Sequence, residues 1–140
     1  MPSQTVQWVT EMLGELFACL SSDLEWKWDG RFDTALAEVS SDQANVIQAR
    51  LEAEMASCLD AALTRGASEA IQQIVRRLGG LMPGQKLFAS NRESTDFIFC
   101  AWWPWGNGQR VSIRIGFISQ DLLAEEAASL KAYLQSLTNQ

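Results

Sequence analysis

The residues that could do chemistry begin with Cys100, followed on the next period-two stretch by Arg110, Ser112 and Arg114. Guanidinium groups beside a thiol favour the thiolate, the form that attacks electrophiles and binds soft metals. Nucleophilic catalysis also needs a base to take the proton, usually an imidazole, and the sequence contains no histidine. The same absence removes the commonest zinc ligand and every triad built on imidazole. The three cysteines, Cys19, Cys58 and Cys100, are odd in number, far apart and each set in an apolar periodic segment, so they read as reduced core thiols. Acidic pairs at Glu52 and Glu54 and at Glu125 and Glu126 fall on the polar sides of expected helices, where nothing nearby in sequence would raise a carboxylate pKa for acid–base work. No catalytic residue and no metal-ligand set is assigned, and the residues identify no cofactor.

Binding is the chemistry the aromatic residues suggest. Trp102-Trp103-Pro104-Trp105 runs into Gly106-Asn107-Gly108, and the segments on either side alternate as strands do. Proline lacks the ladder donor, so it is expected to end the strand and leave Trp105 on a glycine-rich loop, either offering a contact or folded back on the hairpin. Pairing Trp103 with Gln109 then sets the register. Phe97, Phe99, Ala101 and Trp103 share a core face with Val111, Ile113 and Ile115, and the other face carries Ile98, Cys100 and Trp102 opposite Arg114, Ser112 and Arg110. That second face is either a solvated one with a cross-strand cation–π pair, Trp102 on Arg110, or a binding surface, since aromatic and arginine side chains are enriched where proteins meet. The candidate ligand- or partner-binding residues are Trp102, Arg110, Arg114, Ile98, Cys100, Ser112 and Trp105. The glycines of the loop read as turn chemistry, because no helix follows at the spacing a phosphate cradle requires.

The elements that must position these residues follow from periodicity. Val9, Met12, Leu13, Leu16, Phe17 and Leu20 predict a helix over 3–20, capped by Ser3 or Thr5 and ended by Ser21-Ser22-Asp23. Leu24 to Trp28 alternates as a half-buried strand, and Asp29-Gly30-Arg31 reads as a three-residue turn that sets Trp28 opposite Phe32, Trp26 opposite Thr34 and Leu24 opposite Leu36. Residues 33–39 also read as the start of a helix. Ile47, Leu51, Met55, Leu59 and Leu63 predict one long helix from the cap Asp42 to Leu63. A shorter helix opens at Ser68-Glu69 and closes at Gly79-Gly80 with Arg76 and Arg77 in its last turn. Strands are expected over 86–90, 95–103 and 109–118, and a last helix follows Ser119 with Leu123, Ala127, Leu130, Leu134 and Leu137 on its apolar side. The expectation is a single α+β domain over 1–140, with an antiparallel sheet of about five strands packed on about four helices.

This order of helix, hairpin, helix, helix, three strands and helix resembles that of GAF-type sensory domains, and more distantly the PAS group. Trp26 to Phe32 looks like their first hairpin, and Arg110 to Ile118, running into Ser119-Gln120-Asp121-Leu122-Leu123, like their final strand and helix. No family motif accompanies the likeness. The cysteine and histidine that carry chromophore in pigment-binding members have no counterpart, so the resemblance implies no such activity.

A net charge of −6 argues against a grip on nucleic acid, which needs clustered basic side chains. The amino-terminal stretch has no basic start and carries Glu11 and Glu15, so it does not read as a secretory signal; no run is apolar enough to span a bilayer. The expected setting is the cytoplasm. A possible homodimer is suggested by the apolar stripes of the first and last helices. The leading functional expectation is a non-enzymatic regulatory or adaptor domain that binds a protein partner or a small ligand. The alternative is a small enzyme or cofactor-dependent subunit whose catalytic group comes from a cofactor or a partner chain.

Overall fold

The computed structural model describes residues 4–20, 24–55, 57–60, 66–67, 69–90, 97–106, 108–118 and 122–138, apart from the side chains of Thr5, Ser57 and Phe97. The expected caps Ser3 and Thr5, the break at 21–23, Leu63, the helix start at Ser68, the strand start at Thr95 and the connection 119–121 lie outside these residues or side chains. The elements are α1 (Gln4–Leu20), β1 (Lys27–Asp29), β2 (Thr34–Ser40), α2 (Ser41–Glu54), β3 (Ser57–Leu59), α3 (Glu69–Arg77), β4 (Lys86–Ala89), β5 (Phe97–Pro104), β6 (Arg110–Ile118) and α4 (Ala124–Thr138). The strands form one antiparallel sheet in the order β1-β2-β6-β5-β4-β3. The α+β class holds, with one strand more than expected. No helix among the described residues is long and apolar enough to cross a membrane.

The extra strand comes from the helix expected to reach Leu63. Ser40, in extended conformation at φ −75° and ψ 162°, precedes the first turn of α2, and its backbone N–H donates to Gln43 Oε1 at 3.5 Å. Ile47 and Leu51 are buried, but the helix stops at Met55, where the backbone turns extended at φ −101° and ψ 144°. Ser57 to Leu59 then pairs with β4. Spacing by four cannot separate a helix from a strand over three residues, and the open edge of β4 offers ladder bonds that a frayed helix end lacks. Where residues 33–39 also read as the start of a helix, Thr34–Ser40 is strand. The α3 helix ends as expected on glycines with positive φ, Gly79 at 93° and Gly80 at 90°.

Helices pack on both faces of the sheet, one fully and the other in part, which the sequence-based register did not allow for. Helices α1, α2 and α4 pack on one face, burying Val9, Leu13, Leu16, Leu51, Leu130 and Leu134 against Ile98, Cys100, Trp102, Val111, Ile113 and Ile115. On the other face α3 covers only the β3-β4-β5 side, with Ile71 and Ile74 against Leu87, Ala89, Phe99 and Ala101. A strand buried on both sides reads as a continuous apolar run, as Phe97 to Trp103 does, and its alternation is hidden. On the second face the β1-β2-β6 strip stays open: Lys27, Glu38 and Arg110 are exposed, Leu36 and Ser112 half-buried.

Both hairpins are shifted by an odd number of residues from the expected register, which exchanges their faces. In the first, Trp28 lies opposite Ala35, where Phe32 was expected, and Asp29, expected in the turn, pairs with Thr34. Asp29 lengthens the turn: its Oδ1 accepts the Arg31 N–H at 3.1 Å and its carbonyl the Phe32 N–H at 3.3 Å, and Asp33 closes the turn at φ 52°. In the second, Trp103 lies opposite Ser112, Trp102 opposite Ile113, Cys100 opposite Ile115 and Ile98 opposite Phe117. Pro104 does not end the ladder. The Trp105 N–H donates to the Arg110 carbonyl at 2.8 Å, so Pro104, opposite Val111, occupies a position that makes no bond to β6. Its missing N–H would point past the end of β4, whose pairing with β5 stops at Lys86 opposite Trp102.

Candidate functional site

Trp105 is the most informative of the candidate residues. It neither swings free nor disappears into the core. The strand geometry through Pro104 folds it back over the second face, where its Nε1–H donates to Ser112 Oγ at 2.9 Å. Its backbone is held by Arg110 and by the Gly108 N–H, which donates to the Trp105 carbonyl at 3.0 Å with Gly108 at φ 71°. Trp105 remains 40% exposed, so an indole fixed at two points presents part of its surface to solvent, with the exposed Arg110 at the same end of β6.

Further along β6 lies a second polar-aromatic cluster. The Arg114 guanidinium lies 5.7 Å from the Trp103 ring centre and 5.3 Å from that of Phe32, and its Nε–H donates to Asp29 Oδ2 at 3.2 Å. The side chains of Arg114 and Asp29 are only 17% and 13% exposed. Arg31 stacks on Phe32 at 4.5 Å. Arg114 is thus largely committed to tying β1 and the first turn to the centre of the sheet. Asp29, Phe32 and Trp103 belong to this face and were not among the expected site residues. The sequence-local signal was the turn chemistry of Asp29, but its pairing with a residue 85 positions away depends on the sheet order.

The remaining candidates take no part in any surface. Trp102 is 4% exposed and packs edge-on against Phe88 with ring centres 6.2 Å apart. Ile98 and Cys100 are fully buried beneath the helices. The expected pairs of Trp102 with Arg110, Cys100 with Ser112 and Ile98 with Arg114 are therefore replaced: Arg110, Ser112 and Arg114 lie on the opposite side of the sheet. Burial pushes the Cys100 thiol far above its ordinary value, and it also raises Cys19 and Cys58. A thiol held protonated and enclosed does not act as a nucleophile. Among the described residues no three histidine, cysteine, aspartate or glutamate side chains converge as metal ligands would. Comparison with protein-family models, curated proteins and solved structures finds no match for this chain.

Proposed function

We propose that this chain is a non-enzymatic regulatory or adaptor domain of the cytoplasm, acting by binding a protein partner through the open β1-β2-β6 strip and the Trp105 end of β6. The observation that carries the reading is the fixed yet exposed indole of Trp105. An aromatic anchor already locked in place loses little conformational freedom on association, and such side chains dominate the energetics of protein interfaces. Arg110 beside it suits a carboxylate on the partner, and the half-buried Leu36 suits an aliphatic contact. Three free thiols support a reducing compartment, and the resemblance of the element order expected from the sequence to that of GAF-type domains favours the same class of role. The expectation of a homodimer is one form this contact can take, although the stripe of α1 is already covered within the chain, where Val9, Leu13 and Leu16 are buried.

Site-specific photo-crosslinking in the native host tests the reading. A benzophenone amino acid placed at Arg110 or Glu38 should give one discrete adduct, lost when Trp105→Ala is added, and the same probe at the exposed Ala49 of α2 should not. An adduct of twice the chain mass identifies the partner as a second copy. Adducts of equal yield from all positions, or none from Arg110 and Glu38, reject the assignment.

A further inference from the structure

At the far end of β6 from Trp105, the structure holds a pocket of about 290 Å³ that is distinct from the strip described above. It lies where β5 and β6 meet the end of α3 and the middle of α4. Phe99, Phe117 and Ile118 give it an apolar lining, Phe32 of the first turn closes one side, and Ala127 and Ala128 keep the α4 side low. Its size sits at the lower limit of small-molecule sites, which are typically about 300 Å³ or more.

The charges around it are arranged unevenly. Arg77 from the last turn of α3 and Lys131 from α4 converge on one carboxylate, Asp33: Lys131 Nζ lies 3.2 Å from Oδ1 and Arg77 Nη2 lies 3.5 Å from Oδ2. The same Arg77 nitrogen donates to the Phe32 carbonyl at 2.6 Å, which anchors the guanidinium at the rim. Asp33 is itself held at φ 52°, a conformation few residues other than glycine adopt. Two cations against one anion leave the described lining with a surplus of one positive charge beside apolar residues.

We propose that this pocket binds a small aromatic monocarboxylate, its ring seated in the apolar lining and its carboxylate bridging Arg77 and Lys131. One anion matches the charge surplus, and a compact ring suits a lining to which Phe99 contributes from one face of the sheet and Phe117 from the other. A planar guanidinium offers several donors in a fork, so Arg77 keeps its bond to Phe32 while meeting a carboxylate.

Nuclear magnetic resonance titration of the full chain with trans-cinnamate, cinnamamide and hexanoate tests the proposal. Cinnamate should give saturable shifts at the amides of Ile118, Ala127, Ala128 and Lys131. Cinnamamide, of the same shape without the charge, and hexanoate, with the charge but no ring, should each bind at least about tenfold more weakly, the size expected for losing a charge-assisted contact or an aromatic one. Lys131→Gln should weaken cinnamate by a similar factor, and Ala128→Leu should abolish binding by filling the space without touching a charge. Equal binding of cinnamate and cinnamamide, hexanoate binding as tight as cinnamate, shifts centred elsewhere, or no saturation at millimolar cinnamate would each overturn it. The comparison of the three probes uses wild-type protein and does not depend on how any variant folds.

Discussion

Trp105 and Ser112 are joined across the tip of the second hairpin by an Nε1–H to Oγ hydrogen bond of 2.9 Å. This single contact decides whether the indole is a fixed platform or a loose side chain. Ser112→Ala should cost about 0.5 to 1.5 kcal/mol, the net worth of one such bond. Because six tryptophans contribute to the emission, acrylamide quenching is best read as the difference from a Trp105→Ala control; the accessible component should grow in Ser112→Ala.

Trp102 belongs to the core, so truncating it should be severe. Trp102→Ala is expected to destabilise the fold by about 3 to 5 kcal/mol, as large buried aromatics do when cut to alanine. Trp105→Ala, at an exposed site, should cost less than about 1 kcal/mol beyond the lost hydrogen bond. Urea unfolding of the two variants, followed by far-ultraviolet circular dichroism, separates them, and similar midpoints would contradict the observed register.

Gly116 lies under the ring of Phe99, and a Cβ there would sit 2.8 Å from Phe99 Cζ and 3.0 Å from Thr34 Cγ2. Gly116→Ala should therefore destabilise by about 1 to 3 kcal/mol through overpacking. Adding Phe99→Leu should recover part of that loss, so the double change ought to be less costly than the sum of the single ones. Strict additivity in urea midpoints would show that the ring is not what Gly116 accommodates.

The buried Cys100 thiol gives alkaline pH a defined effect. Its folded pKa lies far above the ordinary value of 9.0, with desolvation the cause. Once the pH passes about 9, the unfolded chain releases this proton and the folded chain keeps it. The unfolded state then binds fewer protons, so stability falls as pH rises, at up to about 1.4 kcal/mol per unit for one such group. The contribution is fully present below the unfolded value and is lost above it. Unfolding free energies from pH 8 to 10.5 should show a steeper decline for the wild type than for Cys100→Ala, and iodoacetamide should label Cys100 only after denaturation.

Asp29 and Arg114 should behave as a partly buried pair. Asp29→Asn leaves the guanidinium between Trp103 and Phe32 without its carboxylate and should cost about 1 to 3 kcal/mol. Moderate salt should narrow the difference only slightly, since 17% and 13% exposure leaves little for ions to screen. A large salt dependence would mean that the pair behaves as a surface contact.

The helices, the second hairpin and the α+β class were legible from periodicity, and the prominence of Trp105 from its proline and glycines. The faces of the sheet were not. Phe97 to Trp103 is apolar at every position because helices lie on both sides, and assuming one wet face turned an odd error in register into an exchange of Trp102 for Trp103. Pro104 compounded the error, since a proline ends a ladder only where its N–H is needed. The end of α2 was hidden because Met55 and Leu59 keep the spacing of the helix after the backbone has left it. The Asp29–Arg114 contact depends on strand order, which no local pattern contains.

The two outer strands, Lys27–Asp29 and Ser57–Leu59, are each three residues long. A fully extended strand of that length offers only about 10 Å of unpaired main chain, too little for another chain to continue the sheet with more than a few bonds. Sheets with long bare margins polymerise through them. Among the described residues the outermost strand on each flank is of that short kind, which leaves an incoming chain few bonds to make with either strand.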